Sequence, residues 1–169
     1  MHRLQRIGRG RVSNGSGIGK AFARLCRSDA MLAEMPDFGF MDGGCLSLAL
    51  AVREWLGSDV ARIRFAGRPG RLDHAVAEIA IDGRPYLLDG DGLGTWDDVR
   101  EKLRSLESCD GALLVEADLA TAAEHGIGDD GRHRALAGIL SAHFGAATPQ
   151  AAWLDAGWSD PEAAPGPAP

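Results

Sequence analysis

Cys45, His74 and Asp89 are the residues whose types and spacing could do chemistry together. Cys45 follows Asp42-Gly43-Gly44 and opens the run Cys-Leu-Ser-Leu-Ala-Leu-Ala-Val-Arg-Glu-Trp-Leu, which has no Gly or Pro and no period-two polar face. That composition predicts a mostly buried helix over 45–56, with Gly57 as its stop. A thiol in the first turn meets unpaired backbone N–H groups and the positive end of the helix dipole, and both favour the thiolate. The glycines before it are expected to leave open space above the sulfur for a substrate carbonyl. The competing reading of Cys45 is a core cysteine.

His74 begins a predicted strand, 74–81, directly after a Gly/Arg loop, and 84–89 reads as its hairpin partner across Asp82-Gly83. A two-residue Asp-Gly turn is a strong short-range hairpin signal. With that turn, His74 opposes Asp91 and Val76 opposes Asp89. Side chains alternate at period two, so His74, Asp89 and Asp91 project from one face. Asp91 lies directly across from His74 and Asp89 diagonally, and either carboxylate could accept a proton-bearing ring nitrogen. In a Cys-His-Asp set the imidazole takes the thiol proton, the thiolate attacks a carbonyl, and the carboxylate fixes the ring tautomer. The N–H of Cys45, beside Gly44, is the natural oxyanion donor.

These segments need elements to carry them. Lys20–Ala33 has helical spacing, with Ser28-Asp29 as a point of interruption or restart, and Pro36–Gly44 reads as a loop. Val60–Ala66 alternates as a half-buried strand, 67–71 and 90–94 read as loops, and 112–117 as a strand. Thr95 is placed to cap a helix running to about Ser105 with acids in its first turn. Leu119–His125 and His133–Phe144 read as helices.

The pattern of these three segments resembles the core of the transglutaminase-like/papain-like cysteine peptidase superfamily. The carrying residues are Gly-Gly-Cys-Leu-Ser-Leu-Ala-Leu, then Ala-Arg-Ile-Arg-Phe-Ala-Gly, then His-Ala-Val-Ala-Glu-Ile-Ala-Ile-Asp-Gly-Arg-Pro-Tyr-Leu-Leu-Asp, over about residues 43–91. In that superfamily a Cys opens a helix, a His opens a strand and an Asp ends the next strand. The resemblance therefore implies Cys45 as nucleophile, His74 as base and Asp89, rather than Asp91, as the orienting acid. It implies an α+β fold in which an N-terminal Cys helix packs on a small antiparallel β-sheet with flanking helices. The activity implied is thiol-dependent hydrolysis or acyl transfer on an amide of a protein or peptide, with peptide or isopeptide cleavage the simplest case and deamidation open to the same residues. The chain departs from the family where Val76 stands in place of a bulky aromatic. It departs again at the oxyanion Gln, since Gln5 and Gln150 are both distant in sequence and Asn14 is its only Asn. Those departures keep a second reading open, a catalytically silent module that binds a protein or nucleic-acid partner.

Composition bounds the rest. The 169 residues suit one domain and are 45% hydrophobic but only 6% aromatic, so the core must be built largely of Ala, Leu, Val and Ile. Three cysteines with no CxxC pair and no secretory leader point to free thiols in a reducing, cytoplasmic setting. No run reaches the roughly 20 apolar residues of a membrane helix, so no membrane partner is expected. Residues 1–28 carry seven Lys/Arg and no Asp/Glu, leaving 11 basic and 24 acidic residues in the remainder. The expected organisation is a basic arm over 1–19, one catalytic-type domain over 20–158 and a Pro/Ala-rich tail over 159–169. The arm could make weak contact with nucleic acid or an acidic partner. Trp153 and Trp158 are expected to dock as a lid or to form a partner patch.

No cofactor or metal is expected. Asn14 and Ala21 stand where a phosphate loop needs Gly and Ser/Thr. Asp89-Gly90-Asp91-Gly92 lacks the later oxygens of a calcium loop. His125 and His133 flank a loop with no fixed ligand geometry. Cys26 and Cys109 read as core or partly exposed thiols.

Overall fold

A computed structural model describes residues 17–35, 39–40, 43–106, 109–129 and 131–155. The expected tail, Trp158, Asp42 and all of the arm up to residue 16 lie outside the described residues. Its helices are α1 (Gly17–Cys26), α2 (Asp29–Ala33), α3 (Cys45–Leu56), α4 (Trp96–Leu106), α5 (Leu119–Glu124) and α6 (His133–Phe144). Its strands are β1 (Ala61–Arg68), β2 (Arg71–Ile81), β3 (Arg84–Asp89), β4 (Gly92–Gly94) and β5 (Leu113–Val115), and a short 3-10 turn covers Ala151–Leu154. The strands form one antiparallel open sheet in the order β4-β3-β2-β1-β5. The architecture is mixed α+β.

The hairpin register follows from its turn. Asp82 and Gly83 both take positive φ, 51° and 74°, as a two-residue turn that matches strand twist requires. Ala77 then pairs with Leu88 and Ile79 with Tyr86. Alternation sorts the side chains of β2. Ala75, Ala77, Ile79 and Ile81 join the main core with α3, whereas Val76 joins Ala66, Leu87, Val99 and Leu103 beneath α4. The sheet therefore has a helix-bearing core on each face.

Helix α3 is apolar almost all round because it lies between layers, against β1 and β2 on one side and α6 on the other. The expected first helix is in fact two. Ser28 interrupts it, and its Oγ accepts from Met31 N at 3.4 Å to cap α2. The start also moves: Gly17–Gly19, read as part of the arm, form the buried first turn of α1. The loop expected over 90–94 contains the edge strand β4. There Gly92 has φ 108°, and a Cβ on it would lie 2.3 Å from the carbonyl oxygen of Gly19, so α1 covers that edge at backbone contact. Helix α4 begins with a reciprocal cap, in which Thr95 N donates to Asp98 Oδ2 at 2.7 Å and Asp98 N to Thr95 Oγ1 at 3.4 Å.

Trp153 is buried and stacks on Trp55 with ring centroids 6.0 Å apart and planes within 6°. Gly17 N donates to Asp155 O at 2.9 Å, which ties the C-terminal segment to the start of α1. Among the described residues no helix is long and apolar enough to cross a membrane.

Candidate active site

The first turn of α3, the beginning of β2 and the end of β3 meet at one place. Cys45, His74 and Asp89 are all buried there, at 5%, 2% and 5% exposure. Pairing between β2 and β3 runs only as far as Ala77 and Leu88. Beyond it the start of β2 faces α3, and the Ala75 N–H donates to the Cys45 sulfur, as does the Leu46 N–H of the helix's own first turn. The imidazole of His74 interacts with the same sulfur, and each group favours the charged form of the other. On its other side His74 Nε2 donates to Asp89 Oδ2 at 3.2 Å, which leaves Nδ1 for the thiol.

Charge follows from this geometry. Burial works against a thiolate at Cys45, but the His74 hydrogen bond and charge, with the two backbone amides, outweigh it and hold the thiol below its ordinary value. Burial likewise disfavours a charged His74, yet the Asp89 and Cys45 interactions raise it to about 9. The same balance holds Asp89 far below the usual carboxylate range, with burial opposed by His74 and by Lys102. The Cys45 and His74 shifts both favour a thiolate beside an imidazolium. Cys26 shows the contrast: burial, reinforced by the Asp89 and Asp91 charges, pushes its thiol well up.

Asp91 has a different set of contacts. Its carboxylate pairs with Lys102 at 2.9 Å and Arg27 at 3.2 Å, and its N–H donates to Asp89 Oδ1 at 2.9 Å. The carboxylate against His74 is thus that of Asp89. Lys102 Nζ also donates to Asp89 Oδ2 at 2.7 Å. Sequence reasoning missed Lys102, although the apolar stripe of α4 carried a signal. Lys102 stands three residues after Val99 and next to Leu103, at the margin of the face that packs on the sheet.

The space expected beside Gly44 is not open. A Cβ there would lie 2.2 Å from the terminal methyl of Met35 and 3.2 Å from the carbonyl oxygen of Gly39. Glycine at 44 admits Met35 against the start of the helix rather than leaving room for a ligand. At the start of α3 the Cys45 N–H belongs to the first turn, whose amides helix geometry leaves without backbone acceptors inside the helix. Gln150 is exposed, and Gln5 and Asn14 fall outside the described residues.

Other polar groups gather elsewhere. Ser47 Oγ donates to Asp129 Oδ1 at 2.8 Å, and Asp129 Oδ2 lies 2.6 Å from His133 Nδ1. His133 Nε2 is 3.5 Å from Glu54. The loop before α6 is thereby tied to α3. Among the described residues no three His, Cys, Asp or Glu side chains gather as a metal ion would need. Cys26, Cys45 and Cys109 are all unpaired and buried. Compared with known proteins, the chain matches no family profile, no characterised protein and no solved structure.

Proposed function

We propose that this protein is a thiol-dependent hydrolase or acyl transferase acting on amides of proteins or peptides, with a papain/transglutaminase-like core and Cys45, His74 and Asp89 as its triad. One observation carries the reading: the buried His74 that interacts with the Cys45 thiol is hydrogen-bonded by Nε2 to a buried carboxylate. A core cysteine has no need of that arrangement.

The chemistry follows from the charges. The Cys45 thiolate attacks the amide carbon, forming a C–S bond while the carbonyl electrons move to oxygen, where first-turn amides of α3 hold them. The His74 imidazolium protonates the departing nitrogen as the C–N bond breaks, leaving a thioester and a neutral imidazole. Neutral His74 then takes a proton from water, whose oxygen displaces sulfur and releases the carboxylic product. An amine in place of water gives acyl transfer, and a carboxamide substrate releases ammonia as a deamidation. Peptide or isopeptide cleavage is the simplest of these, since it needs no second cleft. The three unpaired thiols fit a reducing cytoplasmic setting.

A silent binding module is the second reading, and the 5% exposure of Cys45 favours it. Alkylation of the folded protein between pH 5 and 9, followed by peptide mapping, decides between them. Cys45 should label well below the ordinary thiol value of about 8.5, while Cys26 and Cys109 lag. His74→Ala should abolish that early labelling. Equal labelling of the three thiols, indifferent to His74→Ala, sinks the enzyme reading.

A further inference from the structure

Asp89 Oδ2 is one oxygen with two donors, His74 Nε2 at 3.2 Å and Lys102 Nζ at 2.7 Å. Charge-assisted N–H···O bonds usually run about 2.7–2.9 Å, so the lysine holds the closer place and the imidazole the longer one. Lys102 is itself fixed. Its ammonium, on a side chain only 17% exposed, lies between Asp89 and Asp91, the latter at 2.9 Å. Asp91 is in turn held by Arg27 and by its own N–H on Asp89 Oδ1. Residues from the end of α1, from β3 and from α4 thus converge on the acid of the triad.

We propose that Lys102 is a positioning residue for the triad: it fixes the Asp89 carboxylate and draws part of its charge away from His74, leaving the ring able to give up its proton. The inference rests on the triad reading and adds a fourth side chain to it. An imidazolium facing an undivided carboxylate is a poor proton donor, because the ion pair stabilises the charged ring. A cation sharing the oxygen reduces that stabilisation. The ionisable groups acting on His74 are Asp89 from β3 and Cys45 from α3; Lys102 from α4 reaches the ring through Asp89, with Asp91 and Arg27 behind it. Asp73, its neighbour on β2, is engaged with Arg68, Arg71 and Cys109. Of these groups Lys102 is the only cation besides the ring itself that touches Asp89.

Titration of the His74 ring by NMR in the full chain reads this directly. Lys102→Gln should move the midpoint to higher pH by about half a unit to one unit, and Lys102→Arg should restore it. Lys102→Met, which keeps an apolar stem against the sheet, should match Gln. A purely structural lysine predicts a lower unfolding midpoint with the His74 titration unmoved, and that result overturns the proposal. If neither neutral variant folds, Asp91→Asn serves. It leaves Lys102 wholly to Asp89 and should move the midpoint down; no downward movement overturns the proposal equally. Alkylation of wild-type Cys45 separates the two levels. Ordinary labelling removes the triad reading and this inference with it, whereas early labelling with an unmoved His74 midpoint removes the inference alone.

Discussion

At position 89 a nearly buried carboxylate accepts from His74 and Lys102 on one oxygen and from the Asp91 amide on the other. Burial alone would favour its protonated form, but protonation would sacrifice those bonds, and the carboxyl is held well below its ordinary value of 3.8. A depressed folded-state value means stability that is complete above about 3.8 and lost as pH falls below it. Asp89→Asn removes that dependence. Urea unfolding measured from pH 3 to 6 should therefore show a flatter acid limb in the variant than in the wild type, and superimposable slopes would refute the linkage. The juxtaposition of positions 74 and 89 was legible from the Asp-Gly turn, because the turn sets register and register sets which residues share a face. The choice between Asp89 and Asp91 was not legible from spacing, since both are in phase. It is decided by Lys102 and Arg27, whose arrival from α4 and from the end of α1 is a tertiary event.

Elements set what surrounds the sulfur. Helix α3 was readable from end to end, since an uninterrupted apolar run bounded by glycines has few alternatives. The short edge strand β4 was not, because Gly92–Gly94 owes its conformation to pairing with residues 87–89 and to the covering helix α1, not to its own composition. The partnership of β5 with β1 was equally hidden, since nothing local announces a neighbour about fifty residues away. Gly44 was misread for a related reason: a missing side chain says that something comes close, not what. Met35 comes close, and Gly44→Ala must displace its methyl at the start of α3. The substitution should destabilise the protein by about 1–3 kcal/mol, read as a lower urea midpoint at unchanged slope. An unchanged midpoint would mean that Met35 moves aside freely.

Across the molecule, two apolar layers enclose the sheet, and the C-terminal segment is built into the larger one. Trp153 is 3% exposed and stacked on Trp55, which also donates from Nε1 to Gly145 O at 2.8 Å. In the largely exposed segment after α6, Trp153 thus docks on the body as expected and goes further, becoming part of the core; Trp158 lies outside the described residues. Trp153→Ala should remove about 3–5 kcal/mol of stability, measured by chemical unfolding; a loss below about 1 kcal/mol would show that the stack contributes little. The bond from Gly17 to Asp155 has a topological consequence as well. Positions 17 and 155 are neighbours in space, so a short bridge between them would make a ring of the described residues, and fresh ends could be cut at the bend of Pro69 and Gly70 without dividing any strand.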